Sequence, residues 1–209
     1  MELIPFAAAV VAVAGAALAA VARTRIALLA GVVAALVLIP LCRPDIPDDI
    51  PWMLSALAYL VGTLLGGYLL WVSTRFSGPA LEGGRTLPVA VWLALVGALA
   101  ITGIAGWALP IEWLDPGRGP GARMADWLEA GRWSLGAGLA LLAVGLGRLL
   151  AAAGPARLAA GTAFGSAGAW LVLTGLGAAP PDVTLPAVGL ILPAAAATVA
   201  VHSMTRAGD

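Results

Sequence analysis

Ser55, Tyr59 and Thr63 recur at every fourth position of an otherwise apolar stretch. On a helix that spacing places them along one face. Three hydroxyl groups in line have two uses in an apolar setting. They can line a hydrated path for an ion or neutral solute, or they can hydrogen-bond a neighbouring helix. Thr102, Thr162, Ser166, Thr174 and Thr198 are the other hydroxyls within apolar runs, and Thr102 and His202 join the stripe as candidate members of an ion path. His202 is the only histidine, and it lies near a basic end beside Arg206, where a proton-relay role is its functional reading. Cys42 is the only cysteine, so the chain forms no internal disulfide, and Cys42 by itself builds no metal site. Arg43, Asp45, Asp48 and Asp49 make the one polar cluster from which interfacial enzyme chemistry could be assembled, although Asp48 and Asp49 between prolines also suit a helix cap.

The rest of the catalytic repertoire is missing. No lysine is present, which excludes a retinal Schiff base, and haem ligation would require a partner molecule for His202. Neither a catalytic constellation nor a cofactor or metal is expected. No acidic or basic residue falls in the middle of an apolar run, whereas ion-carrying segments normally place one there. Formal net charge is zero, so no global field draws nucleic acid.

Apolar residues make up 61% of the 209 residues and charged ones 11%, against about a quarter charged in soluble domains. Lipid must therefore solvate much of the surface. Apolar runs near 3–22, 26–42, 52–74, 87–109, 133–151, 157–177 and 184–203 are each close to the length that crosses a bilayer. In hydrocarbon the backbone must satisfy its own polar groups, so the runs are helices and the fold class is an all-α polytopic bundle of about seven helices. The start lacks a basic signal-peptide region, so the first run is expected to be retained.

Arginines sort the loops. Arg23, Arg25, Arg75, Arg85, Arg148, Arg157 and Arg206 occupy every second gap and the tail, with only Glu82 and Asp209 beside them. The other gaps hold nine acids and only Arg43, Arg118, Arg123 and Arg132. Arginine-rich loops stay cytoplasmic, which places the N-terminus outside and the C-terminus inside. Trp52, Trp107, Trp113, Trp127 and Trp133 fall near the outer interface and Trp71 and Trp92 near the inner one, as an aromatic belt requires. Trp170 lies deeper, where packing is its expected role. The longest gap, 110–132, opens with turn formers and ends in a short interfacial helix over 122–130. It divides a four-helix part, 1–109, from a three-helix part, 133–209. Gly62 and Gly66, and Gly161 and Gly165, have the spacing that lets helices pack closely.

Several stretches look like parts of the Mrp-type Na+/H+ antiporter and complex I superfamily. Arg148-Leu149-Leu150, Ala156-Arg157-Leu158-Ala159-Ala160-Gly161 and Asp182-Val183-Thr184-Leu185-Pro186 resemble the three-helix C subunit of Mrp and the K-type subunit of complex I. Ala22-Arg23-Thr24-Arg25-Ile26-Ala27 and Arg43-Pro44-Asp45-Ile46 resemble the J-like helices appended to the large Mrp A subunit. The resemblance implies a fused J-like and K/C-like scaffold in a bacterial inner membrane, partnered by other membrane subunits of an antiporter-like complex and by lipid. Leu57-Ala58-Tyr59-Leu60 stands where that family commonly carries a membrane glutamate, and has none. An accessory role in ion translocation is therefore expected. A stand-alone transporter for a neutral solute and a lipid-modifying enzyme or assembly factor are the other readings.

Overall fold

The structure is a computed structural model that describes residues 3–43, 46–47, 49–75, 95–97, 99–100, 122–150, 154–176 and 184–207, with 122–130 and 202–207 described as backbone alone. Most of the described residues are helical, with no strand among them. The helices are α1 (Leu3–Val21), α2 (Arg25–Val37), a 3-10 helix (Ile39–Cys42), α3 (Ile50–Arg75), α4 (Ala122–Leu150), α5 (Pro155–Gly175) and α6 (Thr184–Ala207). Of these, α1, α3, α4, α5 and α6 are long and apolar enough to cross a membrane. Residues 95–97 and 99–100 are helical and fall in the predicted fourth span, the rest of which lies outside the described residues.

Side-chain size sorts in the opposite sense to a soluble protein. Helix α1 buries Ala8, Ala12, Gly15, Ala16 and Ala19 and exposes Leu3, Ile4, Val10, Val11 and Leu18. Helix α3 buries Gly62, Thr63, Gly66 and Gly67 and exposes Leu54, Leu57, Val61, Leu64 and Leu65. Water would penalise such a surface by about 25 cal/mol for each Å² of apolar area left exposed. Lipid tails do not, and small residues inside let helices approach closely enough for van der Waals attraction to hold them. The chain is a multi-pass helical membrane protein.

The second crossing is shorter than its apolar run. Pro40 has no N–H to continue the α-helical ladder, so α2 stops at Val37 and the chain tightens into the 3-10 turn that carries Pro40. Thirteen α-helical residues rise about 20 Å, and the four of the 3-10 turn add about 8 Å. Together they nearly span the ~30 Å core. A second difference concerns 122–130. The predicted interfacial helix is not separate from the fifth span: one uninterrupted helix of 29 residues runs from Ala122 to Leu150. No proline stands between them, and Gly131 alone does not break a helix.

Hydrogen bonds between elements define two ends. At one, the Arg25 Nη1 donates to the Thr74 carbonyl, and Arg148 Nη2 donates to the carbonyls of Ala19 (2.6 Å) and Ala20. At the other, the Ser134 hydroxyl donates to the Cys42 carbonyl, Phe6 meets Trp133 edge to face at 4.7 Å, and Trp170 Nε1 donates to Thr184 Oγ1 at 3.0 Å. Arg25, Arg75, Arg148 and Arg157 thus share one end, as the loop charges predict. Helix α3 finishes at that end and α4 enters from the opposite one, so both run the same way.

Two hairpins pack by the same residue pattern. A Cβ on Gly15 would lie 2.5 Å from Ala35 N and 2.8 Å from Gly31 O, and one on Gly31 would lie 2.6 Å from Ala19 N. A Cβ on Gly145 would lie 2.6 Å from Gly165 N and 2.9 Å from Gly161 O, and one on Gly161 would meet Leu149 at 3.3 Å. Every position in the second set is 130 residues after its counterpart in the first. The hairpins α1–α2 and α4–α5 are repeats, each followed by one further helix. Those two further helices, α3 and α6, pack against each other at Tyr59 and Gly189, which are also 130 apart.

Candidate functional site

The hydroxyl stripe lies where α3 meets α2 and α6. Ser55 is half-buried, while Tyr59 and Thr63 are each 1% exposed. The Tyr59 hydroxyl donates to the Leu36 carbonyl at 2.9 Å. Pro40 explains the first bond. In an unbroken helix Leu36 O would accept from the N–H four residues on, and Pro40 has none. The Leu38 N–H and the Tyr59 hydroxyl serve that carbonyl instead. Pro193, within α6, likewise withholds an N–H from the Gly189 carbonyl. That carbonyl is packed against Gly62, where a Cβ would come within 2.8 Å of its oxygen. Two proline-interrupted helices therefore present their freed carbonyls to successive turns of α3.

Other hydroxyls are engaged on their own helices. Thr162 donates to Ala159 O at 2.9 Å, Ser166 to Thr162 O at 3.0 Å, Thr174 to Trp170 O at 2.8 Å and Thr198 to Ala195 O at 2.7 Å. Such local bonds satisfy a hydroxyl in lipid without a partner helix. Thr102 lies outside the described residues, as does the His202 side chain, though the His202 backbone belongs to the last turns of α6. Of the glycines at close-packing spacing, Gly62 and Gly66 abut α6, at Gly189 and at Leu192 and Pro193 respectively. Gly161 faces Arg148 and Gly145. Gly165 receives the approach of Gly145, but a Cβ on Gly165 itself would point into open space.

In the polar cluster before α3, the two described members, Arg43 and Asp49, serve packing and capping. Asp49 Oδ1 accepts the Trp52 N–H at 2.8 Å, in the manner of an N-cap. The Arg43 guanidinium lies over the Trp52 ring at 4.8 Å. Trp52, expected at the membrane interface, is buried beneath it. Asp45 and Asp48 lie outside the described residues. Among the described residues no three His, Cys, Asp or Glu side chains gather as a metal site would need. Replacing Asp49 by Ala should cost about 1 kcal/mol of stability and Asn should restore most of it, because Asn also caps. Unfolding titrations of the two variants measure this.

Sequence reasoning did not mark Arg148 and Arg157 as inward-facing. Both are buried, at 2% and 4% exposure. The signal was present: Arg148 follows Gly145 by three residues and Arg157 precedes Gly161 by four, so each shares a face with a helix-packing glycine.

Comparison of the chain with protein-family models, curated proteins and solved structures finds no match.

Proposed function

We propose that the chain is an accessory integral-membrane subunit of a multi-subunit complex that translocates cations or protons, packing beside channel subunits in a bacterial inner membrane. The observation that carries this reading is the filled centre. At the level of Tyr59 the backbones of α3 and α6 are in contact, with a Cβ on Gly189 only 2.9 Å from Tyr59 Cα. The Tyr59 hydroxyl there is bonded to the Leu36 backbone carbonyl, and Thr63 is buried one turn on. A closely packed, charge-free centre suits a subunit that supports a neighbour's ion path. The apolar faces of α1 and α3 offer that neighbour, or lipid, a long contact. Mild-detergent purification from the native membrane is expected to retrieve larger membrane subunits in fixed stoichiometry. Recovery of the chain alone, with cation or proton flux in liposomes containing nothing else, would refute the proposal.

One observation favours a second reading, a stand-alone transporter. Transporters are often built from internal repeats, with the solute site between them at the midplane. The two hairpins and their third helices form such a repeat. Solute uptake by liposomes containing only this chain separates this reading from the first.

A further inference from the structure

We infer that the arginine end holds a phosphate-binding site between α4 and α5, built by Arg148, Arg157 and the N-terminus of α5. Three observations converge on it. Arg157 is almost wholly buried, and its Nε and Nη1 are enclosed with no hydrogen-bond partner. Arg148, on the neighbouring helix, is equally buried, its Cβ only 3.1 Å from where a Cβ on Gly161 would stand, one turn on from Arg157, and the two guanidinium charges repel. Finally, Arg157 sits in the first turn of α5, a helix of 21 residues that begins at Gly154 and Pro155 with no side-chain cap and no acidic residue there. The N-terminus of a helix carries partial positive charge, so a buried cation there is opposed rather than favoured. Arg148 is held by the Ala19 and Ala20 carbonyls at the end of α1, so the enclosed Arg157 Nε and Nη1 are the donors left for an anion, and a helix N-terminus with a guanidinium group is how proteins hold phosphate.

The fold does not itself demand these arginines. In the repeated hairpin the positions 130 residues earlier are Leu18 and Ala27, and the same glycine-to-glycine packing forms without charge. Leu18 is 43% exposed where Arg148 is buried. The second hairpin thus carries a feature that the first lacks. Leu146, Leu149, Leu150 and Leu158 are exposed around the site and supply an apolar surface for acyl chains. Basic pockets between transmembrane helices on the cytoplasmic side recognise anionic phospholipid headgroups in this way. The phosphate is supplied either by such a phosphodiester or by free phosphate. Glu82 and Asp209 are the acids assigned to this end, against seven arginines, so the excess of positive charge persists even if both acids are paired.

The test uses the full chain in neutral detergent. Native mass spectrometry and thermal stability are measured after adding phosphatidylglycerol, phosphatidylcholine or inorganic phosphate. Phosphatidylglycerol is expected to be retained and to stabilise, with Arg157→Gln and Arg148→Gln each weakening retention about tenfold or more, while Arg75→Gln leaves it unchanged. Arg157→Lys keeps the charge and should retain an intermediate share, which guards against a variant that merely misfolds. Stabilisation by inorganic phosphate, with the same dependence on Arg157 and Arg148, supports the site and names free phosphate as its source. Equal retention of phosphatidylglycerol and phosphatidylcholine without any response to phosphate overturns the site, as does retention unaffected by both arginine variants. A Glu82→Gln variant as unstable as Arg157→Gln, in a chain that selects no phosphate, overturns it in favour of an internal ion pair.

Discussion

Placing a methyl group on Gly145 is expected to destabilise the α4–α5 hairpin by about 3 kcal/mol or more, while the same change at Gly165 leaves it within about 0.5 kcal/mol of the parent. The two glycines lie on facing helices of the same contact, which makes the contrast sharp. A Cβ on Gly145 would lie 2.6 Å from Gly165 N and 2.8 Å from Gly165 Cα. Those are backbone atoms and cannot rotate away, so the helices must separate. Separation forfeits dispersion along the whole interface, the main attraction between helices in lipid. A Cβ on Gly165 meets nothing within 4 Å. Unfolding of Gly145→Ala and Gly165→Ala in mixed micelles by titrated sodium dodecyl sulfate measures both. Equal loss in the two variants would sink the assignment of Gly145 as the closely packed partner.

Tyr59 carries the second large effect. Tyr59→Ala should cost about 3–5 kcal/mol, since it empties a fully buried aromatic site between α2, α3 and α6. Tyr59→Phe should cost about 1–2 kcal/mol, because it keeps the ring but removes the donor from the Leu36 carbonyl. That smaller cost depends on Pro40. In a Pro40→Ala background, where an N–H is restored four residues after Leu36, the penalty of Tyr59→Phe should shrink toward zero. A double-mutant cycle over Tyr59 and Pro40 reads the coupling directly. An undiminished Tyr59→Phe penalty would show that the hydroxyl serves something other than the broken helix.

Much of the architecture could be read from the chain. The apolar runs became helices because lipid leaves the backbone no other way to satisfy its groups, and the arginines at 25, 75, 148 and 157 came to one end as the loop charges require. The stripe of Ser55, Tyr59 and Thr63 was visible from its spacing, but not what it does: the role of Tyr59 depends on Pro40, a residue on another helix. The repeat was hidden for a different reason. Its shared residues are chiefly Gly15 with Gly145 and Gly31 with Gly161, four among 27 glycines, and the large side chains around them differ freely because they face outward. Arg148 and Arg157 read as ordinary loop-flanking charges. Whether a residue at a helix end turns to solvent or to a neighbour depends on the helix's rotation, which apolar runs with large residues on every side do not specify.

The shared direction of α3 and α4 sets a rule of parity for this chain. A three-crossing unit joined directly to its own copy would emerge upside down, with Arg148 and Arg157 carried to the side opposite Arg23 and Arg25. Orientation by arginine would then pull the halves in contradictory senses during insertion. The connection after Arg75 escapes that conflict by returning to the opposite side before α4 begins. Gain or loss of a single crossing there would invert half of the protein.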